Sequence, residues 1–259
     1  MKKYLIHLMV GVVFLMLAAR PRPVHVFMAG DSTMANKTLT RTISDTITGE
    51  SETLPYLERG WGQLLPDLLN DRALVVNEAR NGRSSRTFIE EGWWSKIIDN
   101  IQKGDFIIIQ FAHNDSSLTK NSRTNPVQFR LNFIAFIEEV RMKGATPILC
   151  TPVARRRFSD EGRLVPTHGV YPDIIRSVAK DTKTVLIDME KLTSDWLQEA
   201  GVEPSRRFFH QFKPGENRLY PRGLDDNTHF NEEGARRVAE LFIDEVKRQR
   251  VRSFLKLIK

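Results

Sequence analysis

Val24-His25-Val26-Phe27-Met28-Ala29-Gly30-Asp31-Ser32-Thr33 is a short apolar run that breaks into a turn. The run Val24–Met28 has the length and composition of a buried strand, Gly30 permits a tight turn, and a hydroxyl follows almost at once. Ser32 therefore sits where a strand bends toward a helix, with its Oγ raised to the top of a sheet. Ser and Asp are also ordinary turn and cap residues, so the triplet gains meaning only from what accompanies it downstream.

Four further apolar runs of strand length follow, at Leu74–Asn77, Phe106–Phe111, Pro147–Thr151 and Val185–Met189. They are continuous rather than alternating, as strands of a parallel sheet buried on both faces are. Helical patterns lie between them at Gly62–Asn70, Trp93–Ile101, Tyr171–Lys180 and Lys191–Ala200. Asn125-Pro126 opens a longer helix that ends at Lys143-Gly144, and Asn231 caps a final one. Alternating strand and helix predict one α/β domain with helices on both sheet faces. Two stretches, Lys37–Gly60 and Val202–Asn227, read as long irregular loops, which in compact domains are often functional.

The N-terminus stands outside this pattern. Lys2 and Lys3 precede an apolar run from Tyr4 to Ala19, then Arg20-Pro21-Arg22-Pro23. A basic head, a short apolar middle and small residues at its end predict a secretory signal peptide over residues 1–19, leaving 20–259 as the domain. The run falls short of the ~20 residues of a spanning helix, so the mature protein is expected to have no membrane span and to work in a periplasm or outside the cell. The single cysteine, Cys150, lies in an apolar run and reads as a small core residue. Net charge is +7, spread along the chain with bunches at Arg155-Arg156-Arg157, Arg206-Arg207 and Arg236-Arg237. For an exported protein the expected polyanion is an acidic polysaccharide, not nucleic acid. The oligomeric state is not legible.

In an open α/β sheet, ligands bind outside the carboxyl ends of the strands. Ser32 follows the first strand, Gly82 the second and Asn114 the third, while Asp226 and His229 precede the last helix. Their chemistry is complementary. A serine needs a base, for which imidazole is suited at neutral pH. The imidazole needs an orienting carboxylate, and Asp226 is three residues away; Asp225 is the neighbour that the spacing disfavours. The backbone N–H groups of Ser32 and Gly82 and the Asn114 amide would supply an oxyanion hole. The six histidines show no His-Glu-x-x-His spacing, so no metal is expected.

Gly30-Asp31-Ser32, Gly82, Asn114 and Asp226-x-x-His229 resemble the four blocks of the SGNH (GDSL) hydrolase superfamily over nearly the whole chain after the signal. Gly60-Trp61-Gly62, Asn81–Phe88, His113-Asn114-Asp115, Thr167-His168-Gly169 and Asp226–Phe230 narrow the resemblance to its rhamnogalacturonan acetylesterase branch. The resemblance implies a three-layer α/β/α flavodoxin-like fold with a five-stranded parallel sheet, no cofactor, and removal of O-acetyl groups from pectic polysaccharide. It also adds His168 to the candidate substrate contacts. One departure stands out: the family usually carries Gly where this chain has Ala112, and a methyl there is expected to crowd the oxyanion loop or narrow the pocket.

For substrate binding the sequence offers Arg83 and Arg86, just past Gly82, with Arg59 and Trp61 entering from the first long loop. Guanidinium groups fork onto carboxylates and an indole presents a flat face to a sugar; the competing expectation is that these arginines pair with Glu90, Glu91 or Glu58. Other readings are a lipase or thioesterase, which would want an apolar acyl channel, and a carbohydrate-binding homologue with a dead site. A nucleotide-binding flavodoxin-like protein would want a Gly-rich first loop, and the chain lacks one.

Overall fold

The computed structural model describes residues 22–44 and 47–259; the signal peptide expected over residues 1–19 lies outside them. In chain order the elements are β1 (Val24–Gly30), β2 (Thr40–Ser44), β3 (Ser51–Pro55), β4 (Glu58–Arg59), α1 (Trp61–Leu64), β5 (Ala73–Asn77), α2 (Ser85–Glu90), α3 (Trp93–Asn100) and β6 (Phe106–Gln110). There follow α4 (Pro126–Met142), β7 (Thr146–Cys150), α5 (Tyr171–Thr182), β8 (Val185–Ile187), α6 (Met189–Ala200), β9 (Phe209–Phe212), β10 (Leu224–Asn231), α7 (Glu232–Arg248) and α8 (Arg252–Leu255).

The five expected strands form one parallel sheet in the order β5-β1-β6-β7-β8. Side chains alternate across it with the strand period of two. Val26, Met28, Ile108, Ile148 and Cys150 face a core closed by α1, α6, α7 and α8. Phe27, Ala29, Ile107, Ile109 and Leu149 face a second core closed by α2, α3, α4 and α5. This is the three-layer α/β/α arrangement. The phenylalanines of α4 (Phe129, Phe133, Phe136) are fully buried, each worth about 1.5–3 kcal/mol relative to exposure. The chain leaves β1 toward β5 through α1 and returns past it to β6 through α2 and α3, on the opposite face. Reversing direction and face together keeps the crossovers right-handed and opens a crevice between β1 and β6, where the strand order switches.

Sequence signals set the helix ends. Asn125 caps α4 through its side chain, with Pro126 in the first turn, and Gly144 just beyond takes φ 72°. Asn231 caps α7, whose first turn carries Glu232 and Glu233 and whose last carries Lys247 and Arg248, matching the helix dipole. Ser84 and Thr87 form a capping box on α2, a helix the sequence reading passed over. The helix expected over Gly62–Asn70 is instead α1 followed by a 3-10 turn at Leu65–Leu68, because Pro66 has no N–H to donate and disfavours α geometry before it.

Neither long stretch is irregular. Lys37–Gly60 contains the β2–β3 hairpin, in which Thr42 faces Thr53 with their hydroxyls 3.0 Å apart. Val202–Asn227 contains β9 and the start of β10, and β10 pairs antiparallel with β9 and with β4. Asp226 and His229 are therefore strand residues, bulged between Asp225 and Phe230, not members of a loop. The run Asp225-Asp226-Asn227-Thr228 has turn composition, so nothing local betrays a strand whose polar side chains carry its bonding. Among the described residues no helix is long and apolar enough to cross a membrane.

Candidate active site

The parallel register brings Gly30 level with Gln110, so the chain leaving β1 and the chain leaving β6 turn side by side. Beyond Gly30 the Asp31 carboxylate folds back, its Oδ1 accepting from the Thr33 amide at 3.0 Å and the Thr33 hydroxyl at 2.8 Å. Gln110 donates to that hydroxyl at 2.8 Å and accepts from the Trp61 indole at 3.0 Å, tying the turn to the sheet. Gly60 is needed beside it: a Cβ there would lie 2.2 Å from the Ala35 carbonyl oxygen. Ser32 is thus held half-buried at the mouth of a cleft of about 330 Å3.

The imidazole arrives on β10. His229 Nε2 lies 2.8 Å from Ser32 Oγ, and its Nδ1–H donates to Asp226 Oδ2 at 2.7 Å. The other carboxylate oxygen, Asp226 Oδ1, accepts from the Thr228 and His229 amides at 2.8 and 2.9 Å. Burial pushes the Asp226 carboxyl up, but the His229 ring and these two amides more than offset it and hold it below the usual carboxylate range. Asp225 faces away toward Arg206 and Asn227. Arg156, buried, locks the strand: its amide donates to Asn227 O at 2.8 Å and its guanidinium to Asn227 Oδ1 at 2.9 Å.

Asn114 lies on the opposite wall, 1% exposed. Its Nδ2 donates one hydrogen to Arg83 O at 2.9 Å, and its Oδ1 accepts from Lys120 Nζ at 2.8 Å, which fixes the amide and leaves its second hydrogen for the cleft. Asp115 clamps this loop to α2, accepting from the Ser85 amide at 2.9 Å and the Ser85 hydroxyl at 2.7 Å; burial raises its carboxyl to about 7. Gly82 also lines the cleft, at φ 76° with nothing within 4 Å of a Cβ built there. Truncating Asn114 to Ala is expected to lower kcat by about 10²–10³, the cost of one oxyanion donor, while KM moves little; a kcat within threefold of wild type would remove Asn114 from the chemistry.

Ala112 has φ 140°, a region L-residues seldom enter, at a cost of order 1–3 kcal/mol. Its methyl group packs into the α2–α5 core with Phe111, fully buried. The departure from Gly therefore strains the backbone and does not narrow the cleft, contrary to the expectation above.

The cleft is polar, lined by Ser32, Gly82, Asn114 and His229 and by groups that sequence reasoning missed: Lys37, Glu58, His113, Lys120 and Arg155. Lys37, nearly buried, pairs with Glu58 at 2.6 Å and donates to Asn81 at 2.6 Å. Burial raises the Glu58 carboxyl, yet Lys37, the His229 ring and hydrogen bonds from Lys37 and Tyr56 hold it below its usual range. Lys37 could have been suspected as the first charge after the Ser32 turn, and Arg155 from its bunch of three; neither carries a motif.

The expected substrate contacts fare differently. Trp61 is fully buried, packed against Phe242 with ring centroids 5.4 Å apart, and offers no face to a sugar. Arg83 pairs with Glu91 at 2.8 Å and Arg86 with Glu90 at 2.6 Å, and neither lines the cleft. Arg59 spends its guanidinium on the carbonyls of Tyr56 and Glu58. His168 is buried beneath the floor, its Nε2 3.1 Å from Nδ1 of His113, and burial pushes both imidazoles below their usual range. Among the described residues no group of three or more His, Cys, Asp or Glu side chains is arranged to hold a metal ion.

Comparison with known proteins agrees with this geometry. The sequence pattern of the GDSL-like lipase/acylhydrolase family matches residues 28–237. Rhamnogalacturonan acetylesterase RhgT of Bacillus subtilis is 39% identical over 221 residues, which cover 85% of this chain and 88% of that protein. The probable rhamnogalacturonan acetylesterase YesY of the same organism is 32% identical, covering 86% of this chain and 92% of that one. In the crystal structure of protein YxiM from Bacillus subtilis, 27% identical, the fold superposes with a TM-score of 0.72 over 90% of this chain and 58% of that chain.

Proposed function

Since the chain belongs to the GDSL-like lipase/acylhydrolase family and is a carboxylic ester hydrolase related to acetylesterases, we propose that it removes O-acetyl groups from pectic polysaccharide of the rhamnogalacturonan type through an acetyl-enzyme on Ser32. The observation that carries this reading is the hydrogen-bonded line from Asp226 through His229 to Ser32, 2.7 and 2.8 Å per step, at the mouth of a polar cleft. The relatives' names supply the substrate.

With Nδ1–H committed to Asp226, the free lone pair of Nε2 faces the serine hydroxyl. Ser32 Oγ attacks the acetyl carbonyl carbon as Nε2 takes its proton, and Asp226 stabilises the resulting imidazolium. The carbonyl oxygen becomes an oxyanion received by the Ser32 and Gly82 amides and the Asn114 Nδ2–H. Collapse breaks the bond to the sugar oxygen, which leaves with the proton from Nε2. Water then attacks the acetyl group, giving its proton to Nε2, and acetate departs as Ser32 recovers a hydrogen. A long acyl chain would find little apolar wall among Lys37, Glu58, Asn81, Lys120 and Arg155, which disfavours a lipase. Residues 1–19 read as a signal peptide, so we place the reaction outside the cytoplasm.

The test is acetate release from a panel of acetylated polymers. Acetylated rhamnogalacturonan is expected to be deacetylated faster than acetylated xylan, a preference that added salt weakens by screening. Equal, salt-insensitive rates would leave the chemistry standing and refute the substrate.

A further inference from the structure

We infer that Arg155, with Arg157 beside it, forms a subsite for the carboxylate of an acidic sugar within the substrate chain; this rests on the acetylesterase reading above and adds the residues that select the polymer. Arg155 lines two clefts at once. One is the catalytic cleft; the other, about 540 Å3, is walled by Arg156, Arg157, Pro166, Thr167 and Asn227. Consecutive residues of β10, Asn227 and Thr228, line the second and first clefts respectively, so the two form one trough that runs from Ser32 over the strand bearing His229. Both volumes suit small-molecule recognition.

The charges in the trough lack internal partners. Arg155 donates only to neutral oxygens, His113 O at 3.1 Å and Thr167 Oγ1 and O at 3.3 and 3.4 Å. Among the described residues no carboxylate lies within ion-pairing distance of it, and the exposed Arg157 side chain has no partner of any kind. Lys120, on the Asn114 side, likewise bonds only an amide oxygen. The arginines outside the trough contrast with these: Arg83, Arg86, Arg176 and Arg236 all pair with carboxylates. Asp31 acts on Arg155 through space, but burial pushes that carboxyl toward its neutral form, and its Oδ2 has no hydrogen-bond partner. Arg156 is excluded as a ligand because Val202 O, Ser205 and Asn227 absorb its donors.

A partly buried guanidinium with long, neutral contacts is a donor set awaiting an anion, and its fork fits a carboxylate bidentately. Because Arg155 reaches the carbonyl of His113, the residue before Asn114, a carboxylate held there lies next to the oxyanion wall. The acetylated sugar and the anchored uronate then sit close together on the chain.

The experiment compares kcat/KM for acetate release from acetylated rhamnogalacturonan oligomers and from the same oligomers with their carboxylates converted to methylamides. Wild type is expected to favour the carboxylate form by on the order of tenfold, mainly through KM, with the ratio shrinking as salt rises. Arg155→Gln and Arg157→Gln together should bring the ratio close to one, and Arg155→Lys should keep part of it. Acetate release from both forms at equal rates by wild type would overturn the subsite while leaving the esterase reading intact, as would an unchanged ratio in the double variant. No release from either form by wild type would instead remove the esterase reading and the subsite with it. Arg157 is exposed, so its single variant folds and reads the ratio even if Arg155→Gln does not.

Discussion

Ser32→Ala is expected to abolish acetate release, lowering kcat by on the order of a million-fold, the loss seen when a triad serine is removed from a protease. The fold should survive. The Ser32 hydroxyl meets only His229 Nε2 at 2.8 Å, whereas the turn that presents it is tied by Asp31, Thr33 and Gln110. Losing one half-buried hydrogen bond costs about 1 kcal/mol, so the melting temperature should move by a few degrees at most. The variant should also bind acetylated oligomers with undiminished affinity. A folded Ser32→Ala protein keeping a tenth of the wild-type rate would show that another group is the nucleophile.

The second large effect is expected at Asp226, and the substitution to make is Asp226→Asn. Here Oδ1 holds the Thr228 and His229 amides and Oδ2 holds the imidazole. An asparagine can keep the two backbone bonds through its carbonyl oxygen and turn its NH2 toward the ring. It then donates to Nδ1 instead of accepting from it, the neutral imidazole shifts its proton to Nε2, and Nε2 can no longer receive one from Ser32. A fall in kcat of about 10⁴ is expected with the geometry intact. Nuclear magnetic resonance of the ring nitrogens should report the exchanged tautomer. A fall of less than tenfold would mean that Asp226 only supports the strand. Asp225→Asn is the matched control, since Asp225 faces Arg206.

What the sequence made legible follows from how locally each feature is encoded. The sheet could be read because its strands are continuous apolar runs buried on both faces, a pattern that tolerates few alternatives. The Ser32 turn, Asn114 and the Asp226-His229 spacing were legible because each combines a distinctive residue with a place at a strand end. β10 was missed because its bonding partners, Gln211 and Arg156, lie far away in sequence. Trp61 looked like a sugar platform only because burial by α7 cannot be seen from its neighbours. Arg83 and Arg86 looked available because the pairing with Glu91 and Glu90 depends on how α2 is set. Arg155 went unchosen among three adjacent arginines, since only the fold separates one buried against Asn227, one exposed and one facing the cleft.

The nucleophile and its base lie 197 residues apart. The sheet that carries Ser32 is complete by β8, and β10 joins only the small separate sheet with β9 and β4. A nascent chain emerging from the ribosome can therefore assemble every core strand and still be inert until its last thirty or so residues follow. The same division works in reverse under mild denaturant: if β9 and β10 loosen first, as peripheral units with mainly polar bonding do, hydrolysis should vanish while the five-stranded sheet still protects its amide hydrogens from exchange. Turnover would then be a reporter for the final docking step of folding, distinct from the stability of the molecule as a whole.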